Sequence, residues 1–162
     1  MKSPLIAPAA LGCRSVFGII RHRESACLRG ADMSARHRIT VVDDDHSVRK
    51  ALCRLLRSVD LDAEAYGSSR EFLDALLRNV LPDCLVLDLR MPDMNGLELQ
   101  RHLASTGVQL PTVIITGHDE PGMHDECMAA GASSYLRKPL DDKALIEAID
   151  SAITEMRSRG KH

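Results

Sequence analysis

Carboxylates stand where apolar runs end in this sequence. The run Cys84-Leu85-Val86-Leu87 delivers Asp88, and a turn built on Pro92, Asn95 and Gly96 follows at once. A second run, Ile39-Thr40-Val41-Val42, ends in Asp43-Asp44-Asp45. Thr112-Val113-Ile114-Ile115 leads to Thr116, and Ser133-Ser134-Tyr135-Leu136 comes just before Lys138-Pro139. Groups at the carboxyl ends of parallel strands share one rim of a sheet, so Asp43, Asp44, Asp88, Thr116 and Lys138 are expected to converge. Three carboxylates together repel: at ~4 Å and an effective dielectric of ~20, each pair costs about 4 kcal/mol. One lysine offsets only part of this. The cluster therefore needs raised carboxylate pKa values or a hard dication. Oxygen donors with room for water point to Mg²⁺ rather than zinc. Such a rim suits phosphoryl transfer, with Asp88 as nucleophile and Asp43 and Asp44 on the metal. Lys138 and Thr116 would take the other phosphoryl oxygens.

That convergence depends on the elements between the strands. Val48, Leu52, Leu55, Leu56 and Val59 repeat at helical spacing after the first run. Ala63-Glu64-Ala65-Tyr66 reads as a weak strand closed by Gly67. Ser68 or Ser69 caps a helix carrying Phe72, Leu73, Leu76 and Leu77. Asn95 opens a helix bearing Leu97, Leu99 and Leu103, stopped by Gly107. A fourth helix is weakened at its start by Pro121 and Gly122, and Asp141 caps a fifth with Leu145, Ile146, Ile149 and Ile153. Five apolar strands alternating with five helices predict an α/β protein, a doubly wound parallel sheet with helices on both faces.

Composition bounds the possibilities. The 162 residues suffice for one ordinary domain, and 44% hydrophobic with 27% charged residues is a globular balance. With no Trp, two Tyr and two Phe, the core must be aliphatic. A formal charge of −2 gives no basic field for nucleic acid. The five cysteines form no CxxC or zinc-spaced cluster, and they read as reduced small hydrophobes in a cytoplasmic protein. No apolar run is long enough to span a membrane.

From about Arg36 to Met156 the chain resembles the receiver domain of two-component response regulators, the CheY-like superfamily. Val42-Asp43-Asp44, Leu87-Asp88-Leu89-Arg90-Met91-Pro92-Asp93-Met94-Asn95-Gly96, Ile115-Thr116-Gly117 and Tyr135-Leu136-Arg137-Lys138-Pro139 match its motifs in order and spacing. Val48-Arg49-Lys50 and Thr116-Gly117-His118 look most like receivers of the FixJ type. The resemblance implies a flavodoxin-like three-layer sandwich with strand order 2-1-3-4-5. It implies Asp88 as phospho-acceptor, with Mg²⁺ held by Asp43 through water, by Asp44, by Asp88 and by the backbone carbonyl of Arg90. It implies a switch in which Thr116 moves toward the phosphoryl group and Tyr135 turns inward, and a cis Lys138–Pro139 bond. Arg90 and His118 would tune the lifetime of the phosphoryl group. The implied partners are a histidine kinase or phosphotransfer protein and a downstream protein on the face of the fourth helix, fifth strand and fifth helix. A homodimer is compatible with it.

Single residues admit plainer readings. Asp43, Asp44 or Asp45 alone could be a helix cap, Asp88 a turn residue, Thr116 a strand-end hydroxyl and Tyr135 plain core. Arg90 and His118 could be inert surface groups; His46, His102 and His124 read as surface. A passive phosphate sink and a Mg²⁺-dependent phosphohydrolase with an aspartyl-phosphate intermediate are the competing functions. Arg90, two residues after Asp88, stands where haloacid-dehalogenase-type phosphatases want a second acid. Residues 1–35 are expected to be a disordered or non-native extension. Lys2, Arg14, Arg21, Arg23 and Arg29 outnumber its acids, Met33 is a candidate start, and the lipoprotein-like stretch ending at Cys13 fits that pattern poorly. The receiver is expected over 36–158 with a tail at 159–162. Only 23 residues follow Pro139. The expectation is a stand-alone receiver, not itself an enzyme or a DNA binder, that signals through a protein surface.

Overall fold

The structure is a computed structural model, and it describes residues 36–160. The extension over residues 1–35 lies outside the described residues. Ten elements alternate: β1 (Arg38–Val42), α1 (His46–Ser58), β2 (Asp62–Tyr66), α2 (Ser69–Leu76), β3 (Cys84–Asp88), α3 (Gly96–Ser105), β4 (Thr112–Thr116), α4 (Met123–Ala129), β5 (Ser134–Arg137) and α5 (Asp142–Arg159). The five strands form one parallel sheet in the order β2-β1-β3-β4-β5. That is the doubly wound architecture expected from the sequence, with the reversal of winding between β1 and β3.

Strand alternation sorts the core into two layers. Val41, Val86, Val113 and Ile115 pack with Leu52 and Leu56 of α1 and Leu145 and Ile149 of α5. Val42, Leu85, Leu87 and Ile114 turn the other way, toward Phe72 of α2, Leu99 and Leu103 of α3 and Cys127 of α4. Every residue of β3 and β4 is buried, which explains why those runs show no polar alternation. Burying a side chain such as Leu56 or Ile149 contributes about 1.5–3 kcal/mol. These paired layers hold the strand ends in fixed register.

The helix starts are set by short polar side chains. Asp45, rather than Asp43 or Asp44, caps α1, accepting from the Ser47 and Val48 amides at 2.8 and 3.3 Å. Ser68 caps α2 through the Glu71 amide, leaving Ser69 as its first residue. Asn95 and Glu98 close a reciprocal capping box at α3. By contrast, α4 has only seven residues and begins at Gly122 with no side-chain cap. No helix among the described residues is long and apolar enough to cross a membrane.

Candidate functional site

Parallel register carries four strand ends to one rim. Val42 pairs with Leu87, Asp88 with Ile115 and Thr116 with Arg137. The ladder continues past the strands, with the Leu89 amide bonded to the Ile115 carbonyl and the Lys138 amide to the Thr116 carbonyl. This brings Lys138 back across β4 to the ends of β1 and β3. Its Nζ lies 2.8 Å from Asp43 Oδ2 and 3.0 Å from Asp88 Oδ1. The Lys138–Pro139 peptide is cis.

Asp43 is fully buried and Asp88 is 4% exposed, whereas Asp44 faces solvent. Each of the three offers a carboxylate oxygen within 4.8 Å of the others. Burial pushes the Asp88 carboxyl above its ordinary range, the Lys138 hydrogen bond opposes that rise, and Asp43 and Asp44 add to it. Burial works against the Lys138 ammonium too, but its bonds to Asp43 and Asp88 outweigh it and hold the amine above its usual value. Burial leads the Asp88 shift and the two carboxylate partners set the Lys138 shift, and in this pocket three carboxylates face a single ammonium. Hard oxygen donors, close together and under-compensated, fit Mg²⁺ in charge and in donor type.

Thr116 is buried, and its hydroxyl donates to the His118 carbonyl at 2.7 Å while accepting the His118 amide at 3.2 Å. Tyr135 is half-buried against the α2–α4 layer, and its hydroxyl donates to Asp119 Oδ1 at 3.0 Å. Arg90 and His118 are exposed, and Arg90 forms an ion pair with Glu120. With Asp44, Met91, Asn95 and Glu120 they line a cleft of ≈ 560 Å³ beside the carboxylates. Thus the structure brings Asp43, Asp44, Asp88 and Lys138 together, sets Arg90 and His118 at the cleft, and turns Thr116 and Tyr135 toward the β4–α4 loop. Of the histidines read as surface groups, His124 meets the Tyr135 ring edge-on.

Two residues that the sequence reading named only within motifs support the site. Arg49 donates to the carbonyls of Asp43 and Asp44 at 2.7 and 3.0 Å, pinning the acidic loop from the first turns of α1. Its place one turn after Asp45 was the available signal. Gly96 lies so close to the acceptor strand that a Cβ there would meet the Asp88 carbonyl oxygen at 2.5 Å. The Asn-Gly pair announces a turn, but only the packing reveals this approach.

A doubly wound parallel sheet with an acidic pocket and a lysine at its carboxyl rim defines an α/β protein with a ligand site off its strand ends, of a make-up suited to phosphoryl chemistry. Residues 39–150 match the family model of the response regulator receiver domain, and the chain belongs to that family. Nodulation protein W of Bradyrhizobium diazoefficiens is 39% identical over 128 residues, which cover 79% of this chain and 56% of the relative. The transcriptional regulatory protein FixJ of Rhizobium meliloti is 40% identical over 114 residues, covering 70% and 55%. The crystal structure of FixJ-N superposes with a TM-score of 0.68 at 38% identity, covering 74% of this chain and 95% of that one. A receiver protein from Burkholderia phymatum gives 0.66 at 45% identity, covering 74% and 96%. The chain spans about half the length of the curated relatives it matches. Phosphorylation on an aspartate and Mg²⁺ at an acidic pocket are typical of the family.

Proposed function

We propose that this chain accepts a phosphoryl group on Asp88 from a phosphorylated histidine kinase or phosphotransfer protein, in the cytoplasm. The observation that carries the reading is the buried Asp88 carboxylate, 3.0 Å from Lys138 and within reach of two further carboxylates. An Asp88 oxygen attacks phosphorus in line, the P–N bond of the donor phosphohistidine breaks, and the imidazole leaves with the electron pair. An aspartyl phosphate results. Lys138 is placed to follow one phosphoryl oxygen, and the Thr116 hydroxyl another once it leaves the His118 carbonyl.

Asp44 and Asp88, the Arg90 carbonyl and Asp43 through water would hold Mg²⁺, which supplies positive charge against the phosphoryl oxygens. Indirect binding by Asp43 suits its surroundings. One of its oxygens accepts the Asp45 amide at 2.8 Å and the other accepts Lys138. Arg90 and His118, at the cleft, are suited to govern how readily water reaches the acyl phosphate.

The signal is proposed to leave through the face formed by α4, β5 and α5, where Tyr135 follows Thr116 inward and a partner protein or second copy reads the change. Incubation with acetyl phosphate and Mg²⁺ is expected to add one phosphoryl group per chain by intact mass, and Asp88→Asn to add none. Undiminished labelling of Asp88→Asn would refute the acceptor assignment. Many turnovers of a phosphate ester per chain would replace signalling with hydrolysis.

A further inference from the structure

The β4–α4 loop carries a second group of charges that the acceptor chemistry does not use. Asp119 accepts the Tyr135 hydroxyl at 3.0 Å and is ion-paired with the Arg137 guanidinium, so two residues of β5 hold one carboxylate. The Asp119 side chain is 23% exposed and therefore partly sheltered, although its backbone runs at the surface. The preceding residue, His118, takes the Thr116 hydroxyl on its carbonyl. The following one, Glu120, is tied to Arg90 from the β3–α3 side. Across α4 the His124 imidazole meets the Tyr135 ring edge-on, with centroids 5.4 Å apart at 78°.

We propose that Asp119 is a latch that holds the unphosphorylated conformation, an inference that rests on Asp88 being the acceptor and on Thr116 and Tyr135 being the pair that moves. A hydroxyl has one proton to donate. While Thr116 gives its proton to the His118 carbonyl, no phosphoryl oxygen receives it. While Tyr135 gives its proton to Asp119, its hydroxyl is held at the β4–α4 loop. Both commitments end on adjacent residues, so the loop and the tyrosine release together. A carboxylate acceptor makes the tyrosine bond charge-assisted. Arg137 is 70% exposed, so its share is small and falls with salt. A latch lowers the population of the signalling conformer, and the apparent affinity for a phosphoryl group falls by the same fraction. The residue thereby sets how strongly the resting chain resists activation.

The test titrates the full chain with beryllofluoride and Mg²⁺, following the ring resonances of its two tyrosines, Tyr66 and Tyr135, by NMR. Asp119→Ala is expected to lower the half-saturating concentration about fivefold, and to move the Tyr135 resonances toward their loaded positions before any beryllofluoride is added. Asp119→Asn keeps an acceptor for Tyr135 but loses the ion pair, so it falls between wild type and Asp119→Ala. Adding Tyr135→Phe to Asp119→Ala changes the midpoint no further, because both remove the same bond. Wild-type loading that persists in Asp88→Asn overturns the acceptor reading. Loading that requires Asp88 yet keeps one midpoint and unmoved Tyr135 resonances across the Asp119 variants overturns the latch alone.

Discussion

Asp43 is fully buried and Asp88 nearly so, while residues 117–120, at the end of the strand next to Asp88, are all exposed. The two regions share a rim and are held by opposite means. The acidic pocket is braced by Arg49 on its backbone, by Lys138 on its side chains and by Gly96 against the acceptor strand. The helices that follow its strands begin with side-chain caps, Asp45 at α1 and Asn95 at α3. Beside the other region, α4 is short, starts at a glycine with φ of 84° and has no side-chain cap. Its ties include ion pairs of exposed arginines, Arg90 to Glu120 and Arg101 to Glu126, beside the Tyr135 and Arg137 contacts to Asp119. Geometry for bond making needs the first arrangement; a conformational response needs contacts that exchange cheaply, as in the second.

Asp88→Asn should sharpen this contrast most. It is expected to abolish labelling by acetyl phosphate and yet to stabilise the Mg²⁺-free protein by about 0.5–2 kcal/mol, because it removes a desolvated, repelled charge. The raised Asp88 pKa means that the folded state holds this proton more tightly than the unfolded state. Stability from this group therefore falls as pH rises from the unfolded carboxylate value of ~3.9 through the raised folded one. The gain in Asp88→Asn should vanish below about pH 4 and grow above it, a trend that thermal melts across pH would reveal. A destabilised variant at neutral pH would mean that Lys138 more than balances the cluster.

Gly96→Ala comes next, with an expected loss of ~1–3 kcal/mol from overpacking against the acceptor strand, read from urea unfolding. Mg²⁺ at about ten times its Kd should raise stability by ~1.4 kcal/mol. EDTA should reverse that gain and Asp44→Asn should weaken it. Equal Mg²⁺ stabilisation in wild type and Asp44→Asn would remove the exposed carboxylate from the ligand set. The smallest effect belongs to Arg101→Ala, whose partner pair is more than half exposed on both sides: stability should change by no more than about 0.5 kcal/mol. A loss several times larger would erase the distinction between a braced pocket and a loosely tied loop.

Much of the fold was legible because helices and buried strands leave different periods. Each strand was located to within one or two residues, including the weak β2, whose polar Asp62 and Glu64 alternate with Ala63 and Ala65. Less certain from sequence was α4, where Pro121 and Gly122 compete with helix formation; it forms, but as the shortest helix described. Among Asp43, Asp44 and Asp45, residue type left three equivalent candidates for the cap. Their roles separate only through burial and hydrogen bonding, which depend on where the chain turns.

The site divides in the same way. Asp88, Thr116 and Lys138 could be placed at one rim from sequence alone, because a parallel sheet sends every strand's carboxyl end in the same direction. Order along the chain and strand polarity are one-dimensional properties, so residue type and spacing determined the pocket's inventory. The tertiary structure alone decided which oxygen meets Lys138, that Gly96 must lie against the Asp88 carbonyl, and that Tyr135 and Arg137 share Asp119. Those contacts join residues brought together by packing rather than by period, and a hydrogen bond a few ångströms long leaves no trace in spacing.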